Sequence, residues 1–67
     1  MTKNYHFEGP TDEASVAKLK DEVSQVLGTQ GVKIEADEHI MRVRGEGFTD
    51  EQISLAAEYA GFSLIGE

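Results

Sequence analysis

The chain has 67 residues, of which 13 are acidic and 6 are basic, and its formal net charge at pH 7 is −7. This length suits a single domain, and the absence of cysteine excludes disulfides, thiolate catalysis and cysteine-ligated metal sites. The negative charge opposes binding to nucleic acid or anionic lipid, and no apolar run approaches the roughly 20 residues of a membrane span. We therefore expect a small cytoplasmic domain whose charge favours solubility or docking onto a basic partner.

The first half of the chain predicts a strand followed by a helix. Residues 3–8 alternate between apolar and polar side chains as a half-buried strand does, and Gly9-Pro10 ends that strand. A helix near 12–27 follows, with Thr11 or Asp12 as its N-cap. The apolar positions of this helix recur at three- and four-residue spacing and are Val16, Leu19, Val23, Val26 and Leu27.

The second half predicts two strands, a helix and a short last strand. Alternating runs place strands near 32–37 and 40–45, with a turn at their junction. A helix near 50–60 begins with a capping box of Thr49 and Gln52, in which each side chain bonds the backbone of the other residue. A strand near 62–65 ends the series.

The element order β-α-β-β-α-β predicts an α+β fold, the ferredoxin-like βαββαβ sandwich. In this plan a four-stranded antiparallel sheet carries both helices on one face. The apolar faces of the helices and the alternation of the strands then meet in a single core. The residues we expect to be mostly buried are Phe7, Val16, Leu19, Val23, Ile34, Val43, Ile53, Ala57 and Leu64, and Met41 should also face inward.

A short phrase occurs twice, as EGPTDE at residues 8–13 and as EGFTDE at residues 46–51. Each copy follows a strand and opens a helix. Threonine and acidic residues are favoured at such a position by capping and by the helix macrodipole. The phrase therefore indicates two similar strand–loop–helix halves, and it explains Thr11-Asp12-Glu13 as a helix start.

Several markers, taken in order, resemble the heavy-metal-associated domain family. They are Gly9 at the end of the first strand, a loop that runs directly into a helix, Gly31-Val32 before the second strand, and Ala60-Gly61-Phe62 after the second helix. The family includes small copper chaperones and the N-terminal modules of metal-pumping ATPases, and the resemblance covers nearly the whole chain. It implies the ferredoxin-like fold and a link to metal transport.

The metal loop of that family reads glycine, methionine, any residue, cysteine, two further residues, cysteine. Here Gly9 keeps the glycine, Pro10 replaces the methionine, and Asp12 and Ser15 stand at the two cysteine positions. Two thiolates bind monovalent copper because ligand and ion are both soft, and a carboxylate with a hydroxyl does not replace them. The resemblance therefore implies a degenerate metal site at Asp12 and Ser15, without a bound cofactor.

The predicted topology brings the first loop, the turn at 37–39 and the segment 60–62 to one end of the sheet. That end gathers acidic side chains and one imidazole, namely Asp12, Glu13, Asp37, Glu38 and His39. Such oxygen and nitrogen ligands suit a hard or borderline divalent cation. The same residues also suit a protein-docking rim or a solvated polar edge, since turns are naturally polar.

The other face of the sheet should be open to solvent and polar. It carries His6, Glu8, Lys33, Glu35, Arg42 and Arg44. Binding of single-stranded RNA on such a sheet needs exposed aromatic rings, and this face has none. Acylphosphatases share the topology but need an arginine in the first loop, and residues 9–15 contain no arginine.

We expect a non-catalytic domain of heavy-metal-associated type that acts in protein docking or regulation after loss of its thiolate site. The expected partner is a protein, such as a component of a metal-transport system, and neither nucleic acid nor membrane insertion is expected. Two alternatives stay open at this point: weak binding of a divalent cation at the acidic end, and a small regulatory ligand-binding domain.

Overall fold

The computed structural model describes residues 1–65 and contains four strands and two α-helices. The bounds of the elements, in chain order, are β1 Thr2–Glu8, α1 Glu13–Ser24, β2 Thr29–Glu35, β3 Ile40–Gly45, α2 Asp50–Tyr59 and β4 Ser63–Ile65, with a 3-10 turn at Ala36–Glu38 between β2 and β3. The predicted order is confirmed. Within residues 1–65 no helix is long and apolar enough to cross a membrane.

The four strands form one antiparallel sheet in the order β2-β3-β1-β4, and both helices cover one face of it. This is the ferredoxin-like arrangement predicted from the sequence. The register pairs Tyr5 with Met41 and Phe7 with Leu64, so alternate residues of the central strands share the covered face. A register shift lies between Thr29 and Gly31 at the start of β2.

The core lies between the helices and this face of the sheet. Its buried side chains come from all layers and are Phe7, Leu19, Val23, Met41, Val43, Phe48, Ile53, Ala56, Ala57 and Phe62. Of the predicted core residues, Val16, Ile34 and Leu64 are half-buried rather than fully enclosed. β2 and β4 are the two edge strands, which explains the partial exposure of Ile34 and Leu64.

The first helix is shorter than predicted, and Leu27 lies outside it. The backbone N–H of Gln25 closes the helix on the Glu22 and Val23 carbonyls. The Thr29 hydroxyl then donates to the Val26 carbonyl at 2.7 Å, which stabilises the turn that leads into β2. The assignment of Leu27 to the buried face was wrong, because the chain leaves the helical path before this residue and leaves its side chain 85% exposed.

The uncovered face of the sheet is mainly polar, as expected, although the register also places Ile40 and Ile65 on it beside His6. His6, Glu8, Lys33, Arg42 and Arg44 are exposed, whereas Glu35 is half-buried. The Arg42 guanidinium donates from Nε to the Asn4 side-chain oxygen at 3.3 Å across the β1–β3 pair. No aromatic side chain of β1 lies on this face, because the covered face takes Phe7 fully and Tyr5 in part.

Candidate functional site

The loop that the resemblance aligns with the family's metal loop contains a helix cap. Asp12 has an extended backbone and is the N-cap of α1, and its Oδ2 accepts a hydrogen bond from the backbone N–H of Ser15 at 3.1 Å. That N–H is one of the donors at a helix start that have no partner within the helix. The two positions at which the family has cysteines are therefore joined to each other by a structural hydrogen bond.

The electrostatics of this loop agree with the cap. Hydrogen bonding with Ser15, through its side chain and then its backbone amide, holds the pKa of Asp12 below the ordinary value of 3.8. Asp12 is therefore a carboxylate near neutral pH. It can serve as a hard oxygen donor, but it lacks the soft character that a monovalent copper ion requires.

The two copies of the repeated phrase begin their helices one position apart. In the second copy Thr49 is the N-cap, and it forms the predicted capping box with Gln52. In the first copy the cap is Asp12 rather than Thr11. Both copies start a helix, as the sequence indicated, although they use different residues of the phrase to do so.

Aromatic rings pack against the first loop at this end of the sheet. The Phe7 and Phe62 rings meet edge to face with centroids 5.5 Å apart, and the His39 ring stacks on Phe7 at 5.5 Å. A Cβ added to Gly9 would lie 2.5 Å from the Phe62 ring, so the loop passes directly over this ring. The loop, the 37–39 turn and the 60–62 segment therefore meet at one end of the sheet, as predicted.

His39 takes a backbone role at this end. Its φ of 58° lies in the left-handed region, and its carbonyl accepts a hydrogen bond from the Phe7 N–H at 3.0 Å. Its Nδ1 lies 3.2 Å from the Phe7 carbonyl oxygen. These contacts fix the imidazole against β1.

The acidic residues of the same end do not gather into a cluster of three. Glu13, Asp37 and Glu38 are exposed, and the last two belong to the 3-10 turn. Over the described residues 1–65, no three histidine, aspartate or glutamate side chains are close enough to hold a metal ion together. Asp12, Glu13, Asp37, Glu38 and His39 share an end of the fold without forming a ready coordination shell.

An ion pair that sequence reasoning missed lies at the opposite end of the sheet. Asp50 Oδ1 accepts hydrogen bonds from Lys3 Nζ at 2.7 Å and from the Tyr5 hydroxyl at 2.8 Å. Desolvation raises the pKa of Tyr5, and the hydrogen bond to Asp50 and the charge of Asp50 raise it further. The hydrogen bond from Lys3, followed by the one from Tyr5, lowers the pKa of Asp50. The available signal was that Lys3 is in phase with Tyr5 and Phe7, so all three point towards the helices.

A second feature lies on the outer surface of the two helices. A shallow groove of about 300 Å³ runs between the C-terminal end of α1 and α2, and its apolar lining includes Val26, Leu27, Leu55 and Tyr59. Leu27, Leu55 and Tyr59 are 85%, 52% and 77% exposed. The sequence analysis placed Leu27 on the apolar face of the first helix and did not identify this groove.

Solved structures with the same fold include a metallochaperone and a yeast copper transporter domain. The CopZ metallochaperone aligns with 97% of this chain and 100% of its own at 12% identity and a TM-score of 0.91. The N-terminal domain of PacS from Synechocystis PCC6803 gives 22% identity and a TM-score of 0.87 over 97% and 94% of the two chains. The yeast copper transporter domain Ccc2a is 16% identical, with a TM-score of 0.84 over 97% of this chain and 94% of its own.

Because the sequence identities are this low, the structural likeness establishes the fold alone. It confirms the resemblance to the heavy-metal-associated domain as a resemblance in fold. No protein-family model matches the sequence, and no curated protein gives a significant match. The first loop of this chain carries Asp12 and Ser15, and its sequence contains no cysteine.

Proposed function

We propose that this chain is a non-catalytic domain of heavy-metal-associated type that acts in protein docking or regulation, in connection with metal transport. The observation that carries the proposal is the hydrogen bond from the Ser15 N–H to the Asp12 carboxylate. The loop positions that would supply soft ligands instead stabilise the start of α1. The fold is kept, while the residues of this loop lack the chemistry for monovalent copper.

Docking is the role that the remaining features support. The net charge of −7 steers the domain towards positively charged surfaces. Exposed apolar side chains are usually scattered singly over a small domain, whereas here three of the five large ones in residues 1–65 lie in this groove. A small domain with a charged surface and one apolar groove suits recognition of another protein better than chemistry.

A competition assay for monovalent copper tests the loss of the metal site. The unmodified chain should fail to take the ion from a moderate thiol chelator. The variant Pro10→Met/Asp12→Cys/Ser15→Cys should bind it, because the fold is that of metal-binding relatives and a thiolate near the start of α1 is favoured by the helix dipole. The matched control is Pro10→Met/Asp12→Ser, which keeps hydroxyls in place of both thiols and should not bind.

Tight binding of monovalent copper by the unmodified chain would overturn this proposal. A titration of amide chemical shifts with Zn²⁺ tests the competing role in divalent-cation binding. If the acidic end is a cation site, the shifts should start at Asp12, Asp37 and His39, and should weaken on acidification as these ligands protonate. Saturable binding there at micromolar metal would replace the docking role with a metal-binding one.

A further inference from the structure

The groove between the helices concentrates apolar surface in one place. Three of the five large hydrophobic side chains exposed in residues 1–65 belong to it, namely Leu27, Leu55 and Tyr59. The half-buried Val26 continues this surface towards the core. Clustering of this kind marks an interaction site more often than single exposed apolar residues do.

The border of the groove is negatively charged. Glu22 of α1 lines the groove itself, and Glu58 of α2 lies just outside it, in an adjoining depression that shares Leu55 and Tyr59. No lysine or arginine of the described chain lines the groove. An occupant therefore has to bring apolar side chains to the centre and positive charge to both borders.

The dimensions of the groove match a short helical segment. Its α2 wall extends from Gln52 to Tyr59, which at 1.5 Å per residue is about 10 Å, or two helical turns. An amphipathic helix presents apolar side chains at positions i, i+3 or i+4, and i+7 over that distance, and such helices bind in apolar grooves. The shallow groove between α2 and the segment that follows α1 therefore has room along α2 for one short helix.

We infer that this groove binds a basic amphipathic helix of a partner protein, with apolar residues against Leu27, Leu55 and Tyr59 and lysine or arginine beside Glu22 and Glu58. The inference rests on the proposed docking function and gives it a location and a partner chemistry. A second copy of the chain fits poorly, because two-fold pairing through the groove would bring the glutamates of both copies together.

The test uses a helical leucine–lysine peptide of about 18 residues, long enough to form a helix, with leucines at the i, i+3, i+4, i+7 spacing. Amide chemical shifts of the intact domain are recorded during titration. Shifts should concentrate at Val26, Leu27, Leu55 and Tyr59, and affinity should fall as salt screens the charges. A leucine–glutamate peptide of the same pattern should not bind.

Two pairs of variants separate the groove from general surface effects. Leu55→Gln should weaken peptide binding about tenfold, because it removes an apolar contact. Ile65→Gln is the matched control, since Ile65 is 49% exposed against 52% for Leu55 and lies outside the groove. Glu58→Gln should weaken binding about two- to threefold, whereas Glu8→Gln on the uncovered sheet face should not.

The results distinguish failure of the groove from failure of the docking role. Peptide shifts centred on the uncovered sheet face, or equal effects of Leu55→Gln and Ile65→Gln, would refute the groove as the binding site. They would leave the proposed docking function standing. Absence of any peptide response would also overturn the groove. Shifts at Leu55 and Tyr59 that change on dilution without peptide would identify a second copy as the occupant. Tight binding of metal at the first loop would instead contradict the proposed function itself.

Discussion

Replacement of Gly9 by alanine tests the contact that links the first loop to the end of the second helix. Gly9 has a φ of +154°, and its missing Cβ leaves room for the Phe62 ring, which is 2% exposed and packs edge to face on Phe7. Two costs follow for alanine. The backbone conformation, which is nearly restricted to glycine, costs about 1–3 kcal/mol, and overpacking against Phe62 costs about 1–3 kcal/mol.

The expected loss of unfolding free energy is therefore about 2–6 kcal/mol for Gly9→Ala. A domain of 67 residues has a total stability of about 3–10 kcal/mol, so the loss should be obvious. Gly47→Ala is the matched control, because Gly47 has a φ of +86° but no atom within 4 Å of an added Cβ. It should cost only the conformational strain, about 1–2 kcal/mol.

Urea unfolding followed by circular dichroism gives these free energies by linear extrapolation. A double-mutant cycle with Phe62→Leu isolates the contact, because the smaller side chain makes room for the new methyl group. Gly9→Ala should cost about 1–3 kcal/mol less in that background than in the parent. An equal cost in both backgrounds, or a cost no larger than that of Gly47→Ala, would refute the packing argument.

Three further predictions concern the core, the caps and pH. Leu19→Ala should lower the unfolding free energy by about 2–5 kcal/mol, since Leu19 is fully buried, and a urea midpoint equal to that of the parent would contradict the assignment of the α1 face. Thr49→Ala should cost about 1 kcal/mol through loss of the capping box, whereas Thr11→Ala should be nearly neutral because Thr11 is not the cap; equal costs measured by urea unfolding would argue against the assigned N-caps. Stability should fall under acid conditions, because the pKa values of Asp12 and Asp50 in the folded state lie below their ordinary value of 3.8; their contribution is present above that pH and is lost as the pH falls through the folded pKa values. With Asp50→Asn, the unfolding free energy should fall less steeply as the pH is lowered through this range. An unchanged dependence on pH in urea unfolding would contradict the role of the Asp50 ion pair.

Local patterns in the sequence determined the order of elements, the covered face of the sheet and the cap of α2. The alternation of the strands and the three- and four-residue spacing of the helices depend only on neighbouring residues, so they predict the same faces before any packing is known. The nature of the first loop also followed directly from the sequence. With Asp12 and Ser15 in place of cysteines, no tertiary arrangement of this chain can provide a thiolate.

Only the tertiary structure decided which distant groups meet. Asp50 lies 47 and 45 positions from Lys3 and Tyr5, and their contact depends on how α2 packs beside β1. The groove likewise exists because α1 ends early, so that Leu27 turns out to solvent next to Leu55 of the other helix. Periodicity fixes the direction of a side chain within its own element, whereas the partner of that side chain depends on how the elements pack against each other.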